Sequence, residues 1–100
     1  MIRGTTPSLT FNLPFDVSNI KTVWVTFSQK HFEVLSLETE QLQLKGQTIS
    51  VKLTQDQTLS LKQDEDVEIQ LRILTNNGDA LASNIMRTSA DRILREGVIA

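Results

Sequence analysis

The chain has no cysteine, no tyrosine and only four glycines among its 100 residues. Without cysteine it has neither disulfides nor thiolate ligands for zinc. The glycines stand singly, so no glycine-rich phosphate loop is present, and we expect no cofactor. No apolar run approaches the roughly 18 residues that span a bilayer, and the N-terminal stretch lacks the apolar core of a secretory signal. The absence of both a membrane-spanning run and a signal segment favours synthesis in the cytoplasm.

Clustered positive charge is also missing. Ten Lys and Arg residues are outnumbered by twelve Asp and Glu residues, and the formal net charge is −2. The cations are scattered along the chain, whereas a protein that binds duplex nucleic acid neutralises several phosphates with grouped cations. We therefore expect no nucleic-acid partner.

The clearest pattern that is present lies at residues 66–75, where Val67, Ile69, Leu71 and Ile73 alternate with polar residues. Period-two alternation is typical of a strand with one face on a core and the other in water. This segment predicts the central strand of a sheet.

A hairpin turn follows that strand. Asn77-Gly78 is typical of a tight turn with positive φ at both central positions. The chain then returns through residues 80–88, which we expect to pair with residues 66–75.

Local signals elsewhere complete an all-β pattern. The alternation breaks within residues 32–38, and a bulge near Val34 would restore it. Thr54 followed by Gln57 is a capping box that predicts one helical turn, and Asp16 is suited to accept hydrogen bonds from nearby amides in a turn. The seven predicted strands are residues 8–13, 20–28, 32–38, 41–45, 48–53, 66–75 and 80–88.

Seven short strands, short turns and a helical corner before the sixth strand predict an immunoglobulin-like antiparallel β-sandwich. The alternative is a small β-barrel, which the number of strands does not exclude. The length predicts a single domain over residues 1–100. We expect a loose arm at residues 1–7. For the tail, residues 89–100, two structures are open: a short helix that stops at Gly97, or extended segments that pair elsewhere.

Catalytic and metal-binding signals are weak. His31 is the only histidine and lies in a polar turn, with no nucleophile-elbow motif in the chain. The densest acidic cluster is Asp64-Glu65-Asp66 with Glu68 nearby, but it lacks the spacing of a calcium loop. We expect no catalytic residue and no metal site, and a solvated acidic bend at the cluster.

Trp24 is the strongest candidate for an interaction residue. If Val23, Val25 and Phe27 face the core, Trp24 lies on the opposite surface of its strand. Such a ring either anchors a partner or is covered by a loop or tail of its own chain.

The tail supplies a second group of apolar side chains that a one-domain core does not clearly need. A contiguous exposed patch of such residues tends to mark an interface. We expect self-association or partner docking through a surface that includes Trp24 or the tail. The tail candidates are Ile93, Leu94, Val98 and Ile99.

Seven stretches of the chain carry a resemblance to known sequences: Met1–Phe11, Pro14-Phe15-Asp16, Val23–Gln29, Ile49–Gln55, Val67–Arg72, Ala80–Ile85 and Arg92–Leu94. In these stretches the chain resembles small uncharacterised proteins encoded in phages and prophages of Firmicutes. More distantly, the layout is similar to immunoglobulin-like N-terminal domains of phage baseplate proteins. The resemblance implies a β-sandwich in a phage structural or accessory context, with no catalytic residues to transfer.

The leading hypothesis is a non-enzymatic module that works by protein–protein contact, in or around a phage virion. The first alternative is a sandwich that binds a carbohydrate or another small ligand on Trp24 and neighbouring polar residues. A hydrolase that uses His31 is the third. We expect no membrane partner.

Overall fold

The computed structural model describes all 100 residues, Met1–Ala100, and contains eight strands and one short α-helix. The strands form two antiparallel sheets, one with the order β1-β5-β4 and the other with the order β3-β2-β6, in which β7 and β8 both pair with the free side of β6. The elements are β1 (Ser8–Asn12), β2 (Ile20–Gln29), β3 (Phe32–Leu37), β4 (Gln43–Lys45), β5 (Thr48–Lys52), α1 (Gln55–Leu59), β6 (Asp66–Thr75), β7 (Ala80–Ala82) and β8 (Met86–Ser89), with 3-10 turns at Val17–Asn19 and Thr39–Gln41.

The core lies between the inner faces of the two sheets. Burial of apolar surface is the main favourable term in folding, and here it comes from alternate positions of the long strands, as the pattern at residues 66–75 predicts. The buried apolar residues are Val23, Val25, Phe27, Leu37, Leu42, Ile49, Val51, Leu53, Leu61, Val67, Ile69, Leu71, Ile73 and Ala90. The predicted all-β sandwich is confirmed.

The topology is immunoglobulin-like. Strand orders β4-β5-β1 and β3-β2-β6-β7 correspond to strands D-E-B and C′-C-F-G of that fold, with α1 at the E–F corner. Because the strands form two separate sheets, the alternative of a closed barrel is wrong. No strand takes the place of strand A beside β1.

The last predicted strand, residues 80–88, is divided into β7 and β8. Ser83 lies in the break and keeps the pairing with β6: its N–H donates to the Leu71 carbonyl at 2.9 Å, and its Oγ accepts from the Leu71 N–H at 3.0 Å. A side-chain oxygen thus replaces a main-chain acceptor. The structure therefore has eight strands instead of seven.

Two local predictions, the bulge near Val34 and the capping box at Thr54, are confirmed. Phe27 pairs with Leu35 and Ser28 with Glu33, which leaves Val34 as the bulge. In the capping box, Thr54 Oγ1 accepts from the Gln57 N–H and Gln57 Oε1 accepts from the Thr54 N–H, so α1 begins there.

The turn at residues 15–19 forms as expected. Asp16 accepts a hydrogen bond from the Ser18 N–H at 2.8 Å and caps the first 3-10 turn. Because hydrogen bonds from Ser18 favour the charged carboxylate, the pKa of Asp16 lies below its ordinary value.

The hairpin after β6 forms, but not with the predicted geometry. Gly78 has a φ of +87°, whereas Asn77 does not have a positive φ. The Gly78 N–H donates to the Thr75 carbonyl and the Thr75 N–H donates to the Asp79 carbonyl. This is a three-residue loop in which only the last residue is left-handed, so the prediction of two positive φ values is wrong.

We expect Gly78→Val to lower the free energy of unfolding by about 1–2 kcal/mol, because a β-branched residue is strained at positive φ. A Cβ at position 78 meets no atom within 4 Å, so the cost is conformational and not steric. Gly78→Asn is the control, since Asn tolerates this region better than Val. Urea unfolding of both variants checks this, and equal losses for Val and Asn would contradict it.

The arm, residues 1–7, is held in place, unlike the loose arm expected from the sequence. The Arg3 guanidinium donates through Nε to the Leu61 carbonyl at 2.7 Å and through Nη2 to the Leu59 carbonyl at 3.0 Å. It also pairs through Nη1 with Glu96 at 2.6 Å. Arg3 therefore joins the arm, the corner after α1 and the tail.

Beyond Ser89, where β8 ends, the tail contains neither the short helix nor a strand. Its only β pairing there is one parallel bridge between Asp91 and Ile2. Further along, the Gln55 side chain donates to the Ile99 carbonyl and accepts from the Ile99 N–H. The tail thus lies against the arm and α1.

Candidate interaction surface

Trp24 lies in the middle of β2 and points away from the core. Its neighbours Val23 and Val25 are fully buried, so the alternation of the strand turns the indole to the outer face of the five-stranded sheet, where 43% of Trp24 is exposed. Both β2 and β6 are ten residues long. The ring is therefore carried by the best-paired part of the fold.

Arg72 is the cross-strand partner of Trp24. Its Cζ atom lies over the indole, 5.5 Å from the ring centroid. A cation over an aromatic face at an exposed site contributes about 0.5–1 kcal/mol. The two side chains contact each other, and both are exposed on the outer face of the sheet.

Shallow depressions lie on both sides of this pair. The first, about 310 Å³ in volume, has an apolar lining made by Thr22, Trp24, Arg72, Ile73, Leu74, Ala80 and Leu81. The second, about 450 Å³ in volume, is polar and is lined by Trp24, Thr26, Glu33, Ser36, Glu38, Gln70 and Arg72. We call the outer surface that contains Trp24, Arg72 and both depressions the Trp24 face.

The outer face of the three-stranded sheet is different. Its depression is lined by Ser8, Thr10, Gln41, Gln43, Ser50, Val51 and Lys52, with one hydrophobic residue among them. Such a surface is typical of a solvated sheet face. An exposed aromatic ring is found on the five-stranded sheet and not here.

The tail candidates lie apart from Trp24. Leu94 is 98% exposed and Ile99 is 80% exposed, and Val98 is also exposed. Ile93 is half-buried and packs against Gly4 beside Leu59. Because the tail lies on the arm and α1, neither depression beside Trp24 contains a tail residue.

The acidic cluster lies beside the β2–β3 turn in a charged depression of about 470 Å³. Glu65 faces Lys30 and Lys62 at 3.3 and 3.6 Å, and Glu68 faces Arg87 at 3.1 Å. No group of three or more His, Cys, Asp or Glu side chains is arranged to hold a metal ion. The depression is lined by Lys30, His31, Asp64, Glu65, Asp66, Glu68 and Arg87.

Backbone strain is concentrated at this depression. Lys30, His31 and Asp64 are the non-glycine residues with positive φ, at 49°, 67° and 60°. Consecutive positive φ values at residues 30 and 31 are typical of a type I′ turn. The predicted turn over residues 29–31 is therefore a two-residue turn, and Gln29 belongs to β2.

His31 projects into solvent at the tip of this turn, with 92% of its side chain exposed. Its Nδ1 lies 4.0 Å from Glu68 Oε1. The residues that line the depression carry no hydroxyl or thiol. The structure therefore does not bring a nucleophile of the Ser-His-Asp type to His31.

Arg72 is the site residue that the sequence pattern alone does not reveal. Its position outside the core follows from the alternation of residues 66–75, but its contact with Trp24 depends on the register between β2 and β6. Register between strands distant in sequence has no local signal in either strand. A correct pairing of Val25 with Leu71 would have revealed the contact.

Comparison of the chain with models of protein families, with curated proteins and with solved structures finds no match. No helix is long and apolar enough to cross a lipid bilayer.

Proposed function

We propose that this protein is a non-enzymatic interaction module that docks a protein partner on the Trp24 face. The observation that carries the proposal is the outward-facing Trp24 with the Arg72 guanidinium over its ring at 5.5 Å. Trp and Arg are enriched among the residues that dominate binding energy at protein interfaces.

The rigidity of β2, the strand that carries Trp24, supports the proposal. The opposite face of β2 is anchored by Val23, Val25 and Phe27, all fully buried, so the backbone beneath Trp24 is fixed. A side chain held in place before binding loses less conformational entropy when a partner orders it. The indole also brings a large contact area with only two rotatable bonds.

The shape and polarity of the Trp24 face also suit a protein partner. An apolar depression on one side of the ring and a polar one on the other match the apolar centre and polar rim of protein interfaces. A partner that covers Trp24 and Leu74 would meet Gln70, Ser36 and Glu33 at the margin.

A carbohydrate ligand is the second candidate, and the polar depression favours it. Thr26, Ser36 and Gln70 lie beside the ring with groups that can bond sugar hydroxyls. A sugar ring, however, stacks on an open aromatic face, and Arg72 lies over the indole. This contact makes the protein partner the better proposal.

The proposed setting is a phage particle or its assembly, and the partner a structural protein of that particle. This part of the proposal rests on the resemblance in sequence. Mass spectrometry of purified particles tests it: the protein is expected among the virion proteins or among assembly intermediates. Its absence from both would remove the phage setting and leave the docking surface to be tested separately.

The docking surface is tested by capture with immobilised wild-type protein, Trp24→Ala, Arg72→Ala and Phe32→Ala. Phe32 is the control because it is an aromatic residue, 75% exposed, on β3 and outside both depressions. A protein captured by the wild type and by Phe32→Ala, but lost with Trp24→Ala and reduced with Arg72→Ala, is the expected result. A glycan-array signal that disappears in Trp24→Ala, with no such protein, would support the carbohydrate ligand instead.

A further inference from the structure

The sheet edges differ in how they are protected against pairing with other chains. Natural sheets shield their edges with bulges, short strands, charges or interruptions. Here β3 carries the Val34 bulge, β4 has three residues, and the edge made by β7 and β8 is interrupted around Ser83. Each of these edges has a feature that opposes strand addition.

The free edge of β1 has no such feature. Its sequence, Ser-Leu-Thr-Phe-Asn, is uncharged and regularly alternating, and all five residues pair with β5 on the other side without a register shift. This is the edge that strand A covers in an immunoglobulin fold, and no main-chain partner occupies it. Pro7 and Pro14 flank it, so the open ladder ends at these two positions.

Apolar side chains border this open edge. Leu9 and Phe11 of β1 are only partly buried against the core. Met86, which pairs with the buried Ile69 and so lies on the inner face, is exposed on the neighbouring edge of the other sheet.

The arm shows that these two edges lie on the same side of the sandwich. It runs from Ile2, bridged to Asp91 just after β8, to Pro7, whose carbonyl accepts from the Leu53 N–H at the end of the β1–β5 ladder. An added strand at β1 would therefore cover apolar groups of both sheets.

We propose that β1 pairs antiparallel with β1 of a second copy of this chain, joining the two three-stranded sheets into one sheet of six strands. Centred on Thr10, the pairing sets Thr10 opposite Thr10, Leu9 opposite Phe11 and Ser8 opposite Asn12. It places no like charges together and forms aliphatic–aromatic and Thr–Thr pairs, which stabilise adjacent strands. A two-fold axis through Thr10 makes the contact self-complementary.

The choice of a second copy follows from this self-complementarity. If the edge made by β7 and β8 paired with the same edge of a second copy, the interruption around Ser83 would break the pairing. If β3 paired with β3 of a second copy, the Val34 bulges of both copies would disturb it. The pairing at β1 uses the three-stranded sheet and is independent of the Trp24 face on the other sheet, so either proposal can fail alone.

Light scattering over a concentration series to about 1 mM tests the pairing, since a five-residue strand pair is a small interface and a weak one is expected. Thr10→Lys sets two like charges on the axis and is expected to raise the dissociation constant about tenfold. Gln43→Lys is the control: Gln43 and Thr10 flank Ser50 at opposite edges of the same sheet. A wild type that is monomeric throughout the series, or equal effects of the two lysines, would overturn the proposal.

Cysteine cross-linking decides the question even if Thr10→Lys fails to fold. The natural chain has no cysteine, so Thr10→Cys and Gln43→Cys each introduce a single thiol. Under mild oxidation Thr10→Cys is expected to form a disulfide-linked dimer well before Gln43→Cys does. Equal rates of dimer formation in the two variants would contradict the pairing.

Discussion

Phe27→Ala is expected to lower the free energy of unfolding by about 3–5 kcal/mol, because truncating a packed aromatic residue loses transfer free energy and leaves a cavity. Phe27 is fully buried and lies between its strand partners Leu35 and Ile69 on the inner face. Urea unfolding measures the loss, and the single Trp in the chain provides the fluorescence signal.

Phe32→Ala is the matched control for this substitution. Phe32 is 75% exposed at the start of β3, and a surface substitution is expected to change stability by no more than about 0.5 kcal/mol. Similar losses for the two variants would contradict the placement of the core between the two sheets.

Gln29→Met is expected to lower the free energy of unfolding by about 2–4 kcal/mol, because a buried main-chain group left without a partner costs about 1–3 kcal/mol. Gln29 is buried, its Nε2 donates to the Lys62 carbonyl at 2.7 Å, and its Oε1 accepts from the Lys62 N–H at 2.8 Å. Methionine nearly keeps the volume and removes both hydrogen bonds.

Gln63→Met provides the control, since Gln63 is exposed in the same connection and makes no hydrogen bond through its side chain. Its free energy of unfolding is expected to stay within about 0.5 kcal/mol of the wild type. Thermal or urea unfolding of both variants checks the comparison. An unchanged stability in Gln29→Met would mean that water replaces the glutamine at Lys62.

The central hairpin and the sandwich could be predicted because their signals are local. The alternation from Val67 to Ile73 reports which face is buried, whatever the strand pairs with. The capping box at Thr54 and the broken alternation at Val34 are also local signals, which predict the start of α1 and the bulge in β3. Each of these features is decided by residues close together in the sequence.

The parts that could not be predicted depend on contacts between distant residues. Gln29 bonds Lys62, and Arg3 bonds Leu59 and Leu61, and neither pattern has a period or a motif. The type of the β2–β3 turn could not be predicted either. Lys30 and His31 adopt positive φ without the Asn or Gly that is typical of a type I′ turn.

The candidate site was predicted in part for the same reason. The outward position of Trp24 follows from the alternation of β2, which is local. Whether Trp24 and the tail share one patch depends on where residues 90–100 lie, and Arg3 and Gln55 hold them elsewhere. The exposed side chains of Leu94 and Ile99 therefore lie on a surface separate from the Trp24 face.

The most direct test of a docking role for Trp24 is calorimetric titration of the captured partner into wild-type protein, Trp24→Ala and Phe32→Ala. Truncating a central aromatic anchor costs about 2 kcal/mol or more, so the dissociation constant of Trp24→Ala is expected to rise about 30-fold or more. Because Trp24 is largely outside the core, the variant should remain folded, and Phe32→Ala should bind like the wild type. Equal affinities of Trp24→Ala and the wild type would contradict the role of the Trp24 face.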